Sequence, residues 1–224
     1  MDARSADSRA PDYVVGIGAS AGGLEALEAC FREMPSTSGL AFVVVQHLSP
    51  DFKSLMDELL ARFTTMPIVQ VLEPTQLRAD TIYLLPPRKE LLIHGDTLVV
   101  QERAADHVLN LPINTFFRSL AQAKAERAVA IVLSGTGSDG SVGLLDVHAA
   151  GGLVLVQTQE SAKFDGMPRS AIATGVVDAL LSPEQMPKAL LRHVQDPSRA
   201  ILADGGSGEL PPDLSSVFDR IQAR

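Results

Sequence analysis

Three polar residues that could carry out acyl transfer each follow a short apolar run in the sequence. Ser20 lies in a glycine-rich turn after the first run, and His47 directly follows Ala41–Gln46. Asp139 lies in a second glycine-rich turn, after Ala128–Leu133. A serine hydroxyl becomes a strong nucleophile when a base removes its proton, and an imidazole with an ordinary pKa near ~6.5 can be that base. A carboxylate can orient the imidazole, so the three residue types are those of a serine hydrolase.

The first glycine-rich turn matches two motifs at once. Gly16, Gly18 and Ala21 fit the dinucleotide fingerprint G-x-G-x-x-G/A, whereas Gly18, Ser20 and Gly22 fit the nucleophile elbow G-x-S-x-G. The fingerprint requires an acidic residue at the end of the second strand, where it binds ribose hydroxyls. That strand ends in a glutamine and a histidine, which favours the hydrolase, while nucleotide binding and a purely structural turn remain open.

The second turn, residues 135–140, also matches G-x-G-x-x-G, and the nearest acid after the next strand is the distant Glu160. A phosphate site there is therefore disfavoured, less firmly than at the first turn. In the hydrolase, backbone N–H groups of Thr136 and Ala21 are the candidates for binding the oxyanion of the tetrahedral intermediate.

Each candidate residue also has an alternative role without chemistry. Ser20 could cap the helix that follows it, and Asp139 could cap the helix that begins near Ser141. His47 could simply end its strand, and His107, in a loop, is an alternative base. The convergence of three such residues at one edge of a sheet favours a single active site over these separate explanations.

The apolar runs predict the elements that would position these residues. Continuous apolar strands joined by amphipathic helices are typical of a mostly parallel sheet covered on both faces, a three-layer, doubly wound α/β fold. Gly95-Asp96 between two alternating runs predicts an antiparallel hairpin. The carboxyl ends of parallel strands lie at one edge, where ligands bind. We predict strands at 13–17, 41–46, 68–71, 81–84, 90–93, 97–101, 128–133, 153–156 and 176–180, and helices at 24–34, 52–63, 113–120, 142–150 and after Ser182.

Composition restricts the classes of function. The 224 residues are 46% hydrophobic, so the chain can fold around a core without disulfides. Because its net charge is −8, a general nucleic-acid-binding function is disfavoured. Its single cysteine, Cys30, is expected to be buried and unreactive. No Cys/His cluster has metal-ligand spacing, and no cofactor is expected. No run is long enough to span a membrane, and we expect a cytoplasmic protein.

Four ordered segments of the sequence resemble the catalytic domain of the chemotaxis protein-glutamate methylesterase family, CheB. They are VVGIGASAGG (14–23), VQHL (45–48), LSGTGSDG (133–140) and GMPRSA (166–171). The resemblance implies a serine hydrolase that removes γ-methyl esters from chemoreceptor glutamates, with Ser20, His47 and Asp139 as its catalytic residues. It also implies a backbone amide at Thr136 near the oxyanion, and some relatives deamidate receptor glutamine.

The sequence also sets expectations for the organisation of the chain. We expect residues 1–11 to be disordered, residues 12–194 to form the methylesterase domain, and residues 195–224 to be a linker with a weak helix start. The segment after Pro86-Pro87 resembles the domain found in fusions with a methyltransferase. The family often has threonine where this chain has Ala21, and the 12 residues before the first strand are too few for a phosphorylated receiver domain.

Overall fold

The computed structural model describes residues 9–46, 56–102 and 111–197, and these ranges contain ten strands and six α-helices. The strands are β1 (Tyr13–Ala19), β2 (Leu40–Gln46), β3 (Ile68–Gln70), β4 (Thr75–Gln76), β5 (Thr81–Leu84), β6 (Lys89–His94), β7 (Thr97–Glu102), β8 (Ala128–Val132), β9 (Leu153–Gln157) and β10 (Ala179–Leu181). The helices are α1 (Gly23–Glu33), α2 (Met56–Leu60), α3 (Pro112–Lys124), α4 (Ser141–Ala149), α5 (Gly166–Ile172) and α6 (Met186–Gln195).

A seven-stranded parallel sheet forms the centre of the fold, in the order β10-β9-β8-β1-β2-β5-β3. β1 lies between β2 and β8, with Ala19 opposite Gln46 and Gly18 opposite Val132. The chain continues from β1 to β2 on one side and later returns to β8 on the other. The strand order therefore reverses beside β1, which makes the carboxyl ends of β1 and β8 a topological switch point.

The two faces of the sheet are covered by different helices because side chains alternate along each strand. Val15 and Ile17 of β1 pack in a core with α1, α2 and α6. Val14 of β1 packs on the opposite face, in a core with α3, α4 and α5. Nearly every residue of β1 is buried, as expected for a strand covered on both faces.

A small antiparallel sheet, β4-β7-β6, packs against α3 beside the main sheet. Its hairpin turns at Gly95, whose φ is +59°. The buried ammonium of Lys124, at the end of α3, pairs with Asp96 in the same turn. This pair holds the hairpin to the helix. The predicted three-layer α/β fold with an antiparallel hairpin is confirmed.

Two predicted elements were wrong in extent. The predicted strand 176–180 is instead β10, because Gly175 turns the chain at φ +74° and the Asp178 carboxylate accepts the Val154 N–H (2.7 Å) before β10 begins. The predicted helix 52–63 is helical only at α2 among its described residues; 52–55 lie outside them. Helix α5 was not predicted at all. Among the described residues, no helix combines the length and apolar character needed to cross a membrane.

Candidate active site

The predicted nucleophile, Ser20, lies in the tight turn between β1 and α1. Its N–H donates to the Ser134 carbonyl (3.0 Å), and its own carbonyl accepts the Gly23 N–H (2.9 Å). The N-cap of α1 is Gly22, and no side chain caps that helix. The alternative in which Ser20 serves only as a cap for α1 is therefore wrong. The main chain of Ser20 is fixed on both sides, and its side chain is half-buried at the carboxyl edge of the sheet.

The glycines before Ser20 serve helix packing. A Cβ on Gly18 would lie 2.5 Å from Ile113 Cγ2, and one on Gly16 would lie 2.9 Å from Phe116 Cε1. Both positions face α3 and are buried. Because α3 occupies the space over these glycines, their lack of a side chain is explained by packing, and the dinucleotide motif loses its main support.

Ser134, two residues after the end of β8, connects three parts of the site. Its N–H donates to Gln157 Oε1 (2.8 Å), and its hydroxyl donates to the Ala21 carbonyl (2.9 Å). The same hydroxyl accepts the Phe164 N–H (3.0 Å). Ser134 and Gln157 are both buried, so these bonds satisfy polar groups that would otherwise cost stability. Neither residue was predicted from the sequence as part of the site; the available signal was a polar residue at the end of a buried apolar run.

Asp139, the predicted orienting carboxylate, lies in the turn after β8 and caps the first turn of α3. Its Oδ2 accepts the Ile113 N–H (3.1 Å) and its Oδ1 accepts the Asn114 N–H (3.0 Å). Both donors lie in the first turn of α3, whose N-cap Leu111 has no side-chain acceptor. The N-cap of α4 is Gly140 without a side-chain bond, so the alternative role of Asp139 as a cap of the helix from Ser141 is wrong.

The turn that carries Thr136 lies directly against Ser20. A Cβ on Gly135 would lie 3.0 Å from Ser20 Cβ and 2.1 Å from Met167 Sδ, so only glycine permits this contact. Thr136 follows by one peptide bond and is exposed. Among the described residues, neither the Thr136 N–H nor the Ala21 N–H donates a hydrogen bond. As oxyanion donors, the two amides remain predictions.

The structure brings two of the three predicted catalytic segments to the same place. The turns that carry Ser20 and Asp139 follow β1 and β8, which are neighbours in the sheet. β2, on the other side of β1, ends at Gln46, whose Nε2 donates to the Ser20 carbonyl (3.4 Å). His47 and the alternative base His107 lie outside the described residues. The Ser-His-Asp set therefore stays a prediction.

Cys30 in α1 is not a second candidate nucleophile. Burial raises the pKa of the Cys30 thiol to about 12, with Glu184 adding to the effect, so the thiol stays protonated at neutral pH. A cavity of about 690 Å³ lies near the start of β5, lined in part by Met66, Thr81 and Tyr83. In the ranges described, no group of three or more His, Cys, Asp or Glu side chains could hold a metal ion.

Comparison with known proteins identifies relatives of the whole domain. A family model described as CheB methylesterase matches residues 15–190. An uncharacterized 104.1 kDa protein of Rhodobacter capsulatus is 50% identical over 131 residues, which are 58% of this chain and 14% of that protein. The protein-glutamate methylesterase/protein-glutamine glutaminase of Pectobacterium atrosepticum is 31% identical over 190 residues, covering 82% of this chain and 53% of that protein. The chain thus spans about half the length of this second relative.

A solved structure shares the fold. The crystal structure of the Thermotoga maritima CheB methylesterase catalytic domain matches with a TM-score of 0.74 and 24% sequence identity, over 80% of this chain and 97% of that one. The family model extends from β1 into α6 and includes both glycine-rich turns of the site. The chain therefore belongs to the CheB methylesterase family.

Proposed function

We propose that this chain is a serine hydrolase that removes methyl esters from the γ-carboxyl groups of protein glutamate residues. The observation that carries the proposal is the contact between the Ser20 turn and the Gly135 turn at the switch point of a parallel sheet. Ligands of doubly wound folds bind at such points. The name of the Pectobacterium relative supports the choice of substrate.

In the proposed reaction, Ser20 Oγ attacks the ester carbonyl while His47 accepts the hydroxyl proton. The negative charge on the tetrahedral intermediate is stabilised by the N–H groups of Thr136 and Ala21. The intermediate expels methoxide, which takes the proton from His47 and leaves as methanol. Water, deprotonated by His47, then hydrolyses the acyl-enzyme to glutamate and free Ser20. Asp139 orients the imidazole and stabilises its protonated form.

The proposed partners are methylated chemoreceptors, which serve as protein substrates, and a methyltransferase that forms the esters. A second candidate activity is hydrolysis of glutamine side chains. It uses the same acyl-enzyme but releases ammonia in place of methanol. The double name of the Pectobacterium relative, methylesterase and glutaminase, favours considering both.

The test is release of methanol and of ammonia from a methylated chemoreceptor cytoplasmic fragment. We expect Ser20→Ala to lower methanol release by about 10⁴–10⁶-fold because the variant lacks the hydroxyl that would form the acyl-enzyme. The matched control is Ser36→Ala, an exposed serine beyond the carboxyl-terminal end of α1, which should leave the rate unchanged. Near-normal hydrolysis by folded Ser20→Ala would reject the mechanism. Ammonia without methanol would make the chain an amidase.

A further inference from the structure

We propose that Phe164 determines substrate specificity, because its ring binds an aliphatic side chain of the protein substrate beside the esterified glutamate. This inference rests on the proposed function and extends it from the reacting ester to the surrounding polypeptide. Phe164 lies in the segment before α5 and has no role in the proposed bond-making steps.

The Phe164 ring lies at the rim of the candidate site. A Cβ on Gly22 would be 3.2 Å from Phe164 Cδ2, so the ring lies over the turn that carries Ser20. The residue is 41% exposed although it is large and apolar. A single exposed apolar side chain is ordinary on a protein surface. What points to a binding role is the position of this ring over the turn that carries the proposed nucleophile.

The main chain of Phe164 is anchored to both halves of the site. Its N–H donates to the Ser134 hydroxyl (3.0 Å), and its carbonyl accepts the Gly135 N–H (3.0 Å). The Ser134 carbonyl also accepts a hydrogen bond from the Ser20 N–H. The ring therefore projects from a backbone that is fixed relative to the nucleophile. A pre-positioned aromatic side chain loses little conformational entropy on binding, which suits it to recognition.

The charged groups next to the ring are paired with one another. Before Phe164 in the sequence, Lys163 Nζ lies 2.7 Å from Glu25 Oε1, and hydrogen bonding to Lys163 lowers the pKa of Glu25. After Phe164 in the sequence, Asp165 Oδ2 lies 3.8 Å from Arg169 Nη1. Phe164 is thus an apolar residue whose two sequence neighbours, Lys163 and Asp165, are each engaged in an ion pair. Because these four charged side chains already have partners, the proposed occupant is an aliphatic side chain, which needs no counter-charge.

The experiment compares a protein substrate with a small one. For a methylated chemoreceptor cytoplasmic fragment, Phe164→Ala should lower kcat/KM about tenfold, mainly through a higher KM. For N-acetylglutamate γ-methyl ester, which has no neighbouring residues, kcat/KM should change by less than about twofold. Phe164→Leu should restore most of the loss. The matched control is Leu180→Ala, because Leu180 is 43% exposed on the edge strand β10, away from the Ser20 turn.

Three outcomes would overturn the inference. Unchanged kcat/KM for both substrates would mean that the protein substrate does not touch the ring. Equal losses for both substrates would mean that the ring supports the reacting groups, and an equal loss in Leu180→Ala would make the effect nonspecific. If the wild-type protein hydrolysed neither of the two esters, the proposed function would be rejected, and this inference with it.

Discussion

At the scale of single residues, Asp139 has an observed structural role and a predicted catalytic one. Its two oxygens accept N–H groups of α3, and a carboxylate has about four acceptor positions. We expect Asp139→Ala to reduce the free energy of unfolding by about 1–2 kcal/mol because α3 loses its cap. Asp139→Asn keeps an acceptor for the cap but cannot stabilise an imidazolium in the same way. Because Asn has one acceptor oxygen where Asp139 uses two, the variant leaves one α3 N–H without its acceptor. Asp139→Asn should therefore cost part of the stability that Asp139→Ala loses, and it should lower esterase kcat by about 10²–10⁴-fold.

Urea denaturation and ester hydrolysis, measured on both variants, separate the two roles. The control is Asp139→Ala combined with Leu111→Ser, which supplies α3 with a capping hydroxyl at its own N-cap. Stability should return while activity stays low. Full activity in Asp139→Asn would reduce Asp139 to a helix cap.

The same scale shows what the sequence could and could not predict. Ser20 and Asp139 could be predicted as candidate site residues because both lie in short motifs whose glycines mark a sharp turn after a strand. Ser134 was missed because its hydroxyl bonds to Ala21, 113 residues away in the chain. A long-range polar contact leaves no local pattern, so the connection between the two turns emerged only from the fold.

At the scale of elements, the site depends on the close approach of α3 to β1. The helix packs over Gly18 with Ile113 and also receives the Asp139 carboxylate at its first turn. We expect Gly18→Ala to reduce the free energy of unfolding by about 1–3 kcal/mol, since the new methyl group would overlap Ile113. Chemical denaturation measures this loss.

A double-mutant cycle tests the cause of that loss. Ile113→Ala removes the side chain that Gly18→Ala would contact. The double variant should therefore lose less stability than the sum of the two single variants. Strict additivity would mean that the cost of Gly18→Ala arises elsewhere, in the strand itself.

Element prediction succeeded where one signal dominated. The apolar runs that became β1, β2 and β8 are buried on both faces, and their composition shows it. Helix α5 was missed because it has only seven residues, with Gly166 and Pro168 in its first turn. Its place is set by tertiary contact, since the Met167 N–H donates to the Gly135 carbonyl (2.9 Å) and Met167 is buried.

At the scale of the whole molecule, two strands that are far apart in the sequence, β1 and β8, contribute turns to one site. β1 supplies the Ser20 turn, and β8, which the chain reaches about a hundred residues later, supplies the Asp139 turn. The parallel topology could be predicted from the sequence, but not the strand order. Only the observed order places β8 beside β1, and the contact between the two turns follows from it.

We expect the contact between α6 and β1 to make global stability sensitive to pH. The half-buried ring of His193 in α6 packs edge-on against Tyr13 of β1, with 5.5 Å between the ring centroids. Burial lowers the pKa of His193 despite the opposing charge of Asp178. The unfolded chain therefore binds this proton more readily than the folded one, and the contribution of His193 to stability is lost as pH falls below about 6.5.

Urea denaturation between pH 7.5 and 5.5 should show a smaller loss of stability for His193→Gln than for wild type. His148→Gln, at an exposed histidine of α4, is the control and should follow the wild type. Equal pH dependence in wild type and His193→Gln would assign the effect to other groups.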